Sequence, residues 1–189
     1  GDYDWRPGRR VEIPPHVSSR GLMEPFVAEL EDGRLLIIWR GSNTAKTPGR
    51  KWFSVSADGG QTLTKPAELK YDDGSRFYSP SSIHRMLRHS VTGKLYWVGN
   101  ICPKPPSGNS PRYPLIIAEI DEAVPALKRK TVTRIDERGD EDSPRLQLSN
   151  FSCFEDRQTH VLEVYLTRLG EDPDDFWGAS AYKYTLTLK

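Results

Sequence analysis

Three times along this chain a short strand, a tight polar turn and a strongly apolar strand follow one another, and this recurrence limits the fold more than any other feature. The first copy runs Glu24–Leu30, turns through Glu31-Asp32-Gly33 and continues as Arg34-Leu35-Leu36-Ile37-Ile38-Trp39-Arg40. The second runs Ser79–Met86, turns at Thr92-Gly93 and continues as Lys94–Asn100. The third runs Leu148–Phe154, turns across Glu155-Asp156-Arg157 and continues as Val161–Arg168. Further strands are expected at Trp52–Ser56, Pro114–Glu119, Thr131–Ile135 and Ala181–Leu188, so each copy reads as the inner hairpin of a blade of about four antiparallel strands. The predicted fold is all-β, a β-propeller of about three blades at residues 20–70, 76–136 and 145–189, in one partial or half-propeller domain over residues 1–189. The segment Trp5–Ile13 reads as the outer strand of a preceding blade.

Between two expected strands of the first blade stands Ser56-Ala57-Asp58-Gly59-Gly60-Gln61-Thr62-Leu63. Asp58 can accept hydrogen bonds from its own turn, Gly59-Gly60 supply the positive φ that the turn needs, Ser56 and Thr62 tie the strand ends, and Leu63 packs beneath. The 15 Gly and 15 Pro residues imply many short strands and no long helices. Three blades cannot close a ring, because the end blades would leave apolar faces and strand edges open to water. The expected partners are therefore missing N-terminal blades or a second copy of the chain, completing a six-bladed ring. A net charge of +1 argues against nucleic acid, and no stretch approaches the ~20 apolar residues that span a bilayer.

The Ser56–Leu63 turn resembles the Asp-box (BNR) turn of sialidases and related propellers, with Leu63 where that family usually has Trp or Phe. A longer stretch, Arg20-Gly21-Leu22-Met23-Glu24-Pro25, a strand, Asp32-Gly33-Arg34 and an apolar strand ending in Arg40, is similar to a segment of bacterial sialidases. The resemblance implies a C-terminal half of a sialidase-like glycoside hydrolase that binds, and in its full-length context hydrolyses, an acidic carbohydrate. Glu24 would take the family's role of polarising a nucleophile, and Arg40 that of a clamp on the substrate carboxylate. A guanidinium suits that task because it meets a carboxylate bidentately and keeps its charge. Arg112, before Tyr113-Pro114-Leu115, would be a further clamp residue, with Arg20 and Asn150 as additional substrate contacts. No cofactor and no metal are expected, and the resemblance implies a secreted or periplasmic location; the first residues carry no basic and apolar signal segment.

The departure from the family matters equally. Where sialidases carry a nucleophilic Tyr at the head of a late inner strand, this chain reads Leu148-Ser149-Asn150-Phe151, and Tyr78 is the substitute nucleophile to consider. The alternative is a non-catalytic propeller that binds a carbohydrate or a protein, or that assembles from half-rings. Cys102 and Cys153 read as buried thiols, with a pair as the other reading, and His16, His84, His89 and His160 show no ligand spacing. The run Asp136–Asp142 reads as a hydrated loop, with calcium binding as its alternative, and Glu171–Asp175 reads the same way. Trp39, Trp52, Trp97 and Trp177 mostly read as propeller core, with a Trp near the central opening stacking on a sugar ring as the alternative.

Overall fold

The computed structural model of the chain describes every residue except Gly1, Trp5 and Lys189. Its strands group into three antiparallel sheets. The first contains β1 (Met23–Glu29), β2 (Leu35–Arg40), β3 (Lys51–Ser56) and β4 (Ala67–Glu68), in chain order across the sheet. The second contains β5 (His84–Arg88), β6 (Leu95–Asn100) and β7 (Leu115–Asp121). The far edge of β7 is shared, because β8 (Ala126–Leu127) pairs with one end and β9 (Thr133–Asp136) with the other. The third is β10 (Ser152–Glu155), β11 (Leu162–Thr167) and β12 (Ala181–Leu186), three strands where four are expected. Each is a meander, as a propeller blade is, and the innermost strands β1, β5 and β10 lie beside one another.

Strand alternation explains how the blades stack. On β6, Leu95 and Trp97 face the first blade, where they meet Leu36 and Ile38, while Tyr96 and Val98 face the third and meet Leu162 and Val164. The middle blade is therefore buried on both faces, and β6 has no exposed residue. The end blades differ. The free face of the third blade carries exposed Phe154 and Tyr165. Side chains also clasp neighbouring blades at one end. Glu122 accepts from the Glu31 backbone N–H at 2.8 Å and from Arg88 at 2.7 Å, and Glu155 accepts from the Ser90 backbone at 2.7 Å and its hydroxyl at 2.6 Å.

The Ser56–Leu63 turn closes between β3 and β4 as its side chains dictate. Asp58 accepts from the Ser56 hydroxyl at 2.8 Å, the Thr62 N–H at 2.9 Å and the Thr62 hydroxyl at 2.6 Å, which hold its carboxyl down to about 2. Gly59 and Gly60 take φ of 69° and 90°.

Four expectations are corrected. Residues 6–13 form no strand, since no described ladder is available to pair with them, and Trp5 lies outside the described residues. The inner strands of the second and third blades begin at His84 and Ser152 instead of Ser79 and Leu148, because the preceding residues enter a layer of side-chain hydrogen bonds. Trp177 is 79% exposed on the loop before β12, edge-on to Phe176, whereas Trp97 is fully buried. The run Asp136–Asp142 is not simply hydrated: Arg168 pairs with Asp136 and with Asp142, the latter at 2.6 Å. Both cysteines are free thiols, and burial raises Cys102 to about 12 and Cys153 to about 11.

Candidate functional site

Polar side chains are buried together at one end of the blades, where β2 and β6 finish and the chain approaches β5 and β10. Arg40, Asn43, Lys51, Ser81, Ser82 and Asn100 are all under a tenth exposed. Buried polar groups cost free energy unless paired, so such a layer is either a tightly satisfied network or a site awaiting a partner. Both are present here. The amide nitrogen of Asn100, ending β6, is a satisfied part: it donates to the carbonyls of Leu148 at 2.9 Å, Arg112 at 3.0 Å and Pro114 at 3.2 Å, joining the second and third blades, while its Oδ1 is buried without a partner among the described residues.

The unsatisfied part surrounds Arg40. Met23 stands opposite Arg40 in the β1–β2 register, and a bulge between Met23 and Phe26 follows. At that bulge Glu24 takes φ of 48°, a left-handed conformation costing a non-glycine residue about 1–2 kcal/mol. There Glu24 meets Arg40, whose Nη1 donates to Oε1 at 2.7 Å. The Arg40 side chain is only 8% exposed and that of Glu24 38%, so the pair opens to solvent on its acidic side. Gly41 must follow, because a Cβ there would lie 2.6 Å from the Arg50 carbonyl. Among the described residues Arg40 Nη2 reaches only the Met23 sulfur, at 3.5 Å, and its Nε is buried without a partner.

Arg112 approaches from the loop before β7. It donates to Gln147 Oε1 and to the Ser81 carbonyl, both at 2.9 Å, and its Nε is also buried and unpartnered. Burial, and then the charge of Arg40, lower its pKa, while Glu24 acts the opposite way; all three therefore share one electrostatic neighbourhood. Ser81 also donates to Asn43 Oδ1 at 2.8 Å. The hydroxyls of Ser82 and Ser149, at the heads of the second and third inner strands, are buried without partners too. Two guanidinium Nε–H groups and two hydroxyls thus stand ready for acceptors at this end.

The remaining residues singled out in the sequence lie elsewhere. Arg20 is exposed on the turn before β1. The Tyr78 ring lies under the Arg50 guanidinium, 4.4 Å from its centroid, and lines a cleft of about 540 Å³ with Tyr71, Phe77, Cys102 and Arg134, which contains neither Glu24 nor Arg40. Asn150, at φ of 58°, lines a groove on the free face of the third blade with Tyr165 and Lys183. A larger cleft, about 640 Å³, lies at the opposite end of the blades, but its Arg88 pairs with Glu122 and its Lys94 and Lys128 with Glu119. Among the described residues no group of three or more His, Cys, Asp or Glu side chains is placed to hold a metal ion.

Lys51 is the residue that sequence reasoning misses. It heads β3 opposite Arg40 and is fully buried, donating to the Ser82 carbonyl at 2.5 Å and more distantly to that of Pro80 at 3.4 Å. A lysine beginning a strand reads as surface. The available signal is its register with Arg40, which places two cations on one face.

No family model matches the chain, and no curated protein matches it. Solved structures do. NanB sialidase from Streptococcus pneumoniae aligns over 86% of this chain and 23% of its own, at 18% identity and a TM-score of 0.55. The α-L-arabinofuranosidase Arb93A of Fusarium graminearum aligns over 94% of this chain and 49% of its own, at 16% identity and a TM-score of 0.58. An endo-1,5-α-L-arabinanase from Thermotoga petrophila aligns over 88% of this chain and 39% of its own, at 16% identity and a TM-score of 0.55. The chain thus spans less than half the length of these structures, and the likeness establishes its fold: three blades of the β-propeller used by sialidase-like and arabinan-cleaving glycosidases.

Proposed function

We propose that this chain supplies the C-terminal part of a sialidase-like glycosidase propeller and that its Arg40 end holds the carboxylate of an acidic sugar. One observation carries the reading: Arg40 and Arg112, both buried and both with an unpartnered Nε, share an electrostatic neighbourhood in which the one partnering carboxylate, Glu24, is part-exposed. A ligand carboxylate would compensate this excess of positive charge, and a preformed, desolvated Arg pair selects anions over neutral sugars. Glu24, held by Arg40 and open on its other side, is placed to orient a hydroxyl or water beside the bound anion. The Asp-box reading of the Ser56–Leu63 turn belongs with this proposal and serves the scaffold, not the chemistry. The remaining blades would come from a longer chain or a second copy, and a secreted or periplasmic protein would suit an extracellular glycan.

Turnover of acidic glycosides by the full-length protein that is lost in Glu24→Gln, with binding kept, supports a hydrolase. Turnover that survives the substitution contradicts the role of Glu24. The second reading, a non-catalytic glycan-binding propeller, is favoured by a specific observation: Leu148 is buried where the resemblance would put the family's phenol, and Tyr78 lines a different cleft from Glu24. It predicts binding of acidic sugars with no turnover.

A further inference from the structure

Beneath the proposed anion site lies Lys51, a buried lysine with no carboxylate partner among the described residues. Its ammonium nitrogen has two backbone carbonyls within reach, those of Ser82 and Pro80. Two acceptors match the two N–H groups of a neutral amine, whereas an ammonium has three donors to satisfy. The charged groups that act on it come from every neighbouring element: Arg40 on β2, Glu24 on β1, Arg112 before β7, with the thiol of Cys102 after β6. His84 on β5 is close enough to feel its charge, but burial holds that imidazole well below its ordinary range, so it is neutral. Among these groups, Glu24 is the carboxylate that opposes the two guanidinium groups.

We propose that Lys51 is a third cation of the anion site, neutral when the site is empty and protonated when an acidic sugar occupies it. This rests on the reading of Arg40 and Arg112 as a carboxylate clamp. Burial, with Arg40 next in weight, pushes the Lys51 amine down to about 7. An anion brought against Arg40 and Arg112 cancels the repulsion those groups exert on Lys51 and favours its charged form. Loading the site therefore takes one proton from solvent onto Lys51 Nζ. Cys102 is not its source, since burial keeps that thiol protonated up to about 12.

The sign follows from linkage. Below pH 7 Lys51 is already charged, and binding exchanges no proton. Above pH 7 the free site must gain a proton to load, so affinity falls by up to about tenfold per pH unit until the pKa of the loaded state is reached. The selectivity consequence is that the site favours anions most strongly in mildly acid surroundings.

The test is calorimetric titration of the full-length protein with N-acetylneuraminate at pH 6 and pH 8, each in two buffers of different ionisation enthalpy. The expected result is close to one proton taken up per ligand at pH 8, little at pH 6, and affinity about tenfold weaker at pH 8. Lys51→Gln keeps a donor for the Ser82 carbonyl but cannot titrate; it should bind with no proton uptake and with affinity changed less than about twofold between the two pH values. Should Lys51→Gln fail to fold, NMR titration of the Lys51 amine in the native protein replaces it: a midpoint near 7 that rises with ligand supports the inference, and an ordinary lysine midpoint overturns it. Binding without proton uptake, or uptake that persists in Lys51→Gln, overturns the role of Lys51 and leaves the clamp standing. Failure of the native protein to bind N-acetylneuraminate at either pH overturns the clamp, and the role of Lys51 with it.

Discussion

Arg40 ends the apolar strand β2 of the first blade and Arg168 follows directly on the corresponding β11 of the third, yet their surroundings are opposites. Arg168 meets Asp136, Asp142 at 2.6 Å and Glu171 at 3.3 Å, and its side chain is 13% exposed. Arg40 meets one carboxylate, at 2.7 Å, and keeps a buried Nε with no acceptor. The first arrangement is complete: three carboxylates and the Tyr184 hydroxyl on Asp136 leave no room for another anion. The second is short of negative charge by the measure of its own neighbours, because Arg112 adds to Arg40 and, among the described residues, Glu24 alone compensates. Burial of an arginine is thus not what marks a site; the absence of its full set of acceptors is.

Arg168→Ala should show the largest effect on the fold. It would leave three partly buried carboxylates facing one another, a loss of about 3 kcal/mol measured by the denaturant midpoint, with no change in sugar affinity. Loss of sugar binding on that substitution would break the contrast. Arg40→Ala should do the reverse. It should weaken N-acetylneuraminate binding on the order of a hundredfold, as removal of a bidentate charged contact does, while altering stability less than Arg168→Ala. Unchanged affinity would make Arg40 another staple.

A smaller effect is expected at Asn150, which like Glu24 holds a left-handed φ at the approach to an inner strand. Asn tolerates that conformation and Ala does not, so Asn150→Ala should cost about 1 kcal/mol by chemical denaturation, leaving the Arg40 end untouched. The smallest effects concern pH. The Asp58 carboxyl, held at about 2 first by the Thr62 hydroxyl, and that of Glu155, held at about 2 first by the Ser90 hydroxyl, lie below their unfolded values. Their contributions are complete above pH 4 to 5 and disappear as pH falls through about 2. The thermal midpoint should therefore decline over that window, and Asp58→Asn should flatten part of the decline; an equal decline in the variant would exclude Asp58.

The three hairpins are legible in the sequence because their signal is local: a continuous apolar run along Leu35–Trp39 or Leu95–Val98, with Gly33 or Gly93 at the turn. The Glu24–Arg40 contact follows from the same hairpin register. What local pattern cannot carry is contact between blades. Ser79–Ile83 reads as strand but is diverted into hydrogen bonds with Lys51, Asn43 and Arg112. Asp136–Asp142 reads as a loop left to water, because its partner Arg168 stands in another blade. Lys51 is hidden for the same reason: its burial is created by Pro80 and Ser82, which reach it across the blade interface.

The central claim is that the heads of the first and second inner strands, with Arg40 and Arg112, form an anion site. A crystal structure of the full-length protein with N-acetylneuraminate tests it most directly. The account predicts the sugar carboxylate within about 3 Å of both Arg40 and Arg112, with Glu24 beside the ring. A carboxylate bound elsewhere, in the Tyr78 cleft or on the free face of the third blade, would contradict it.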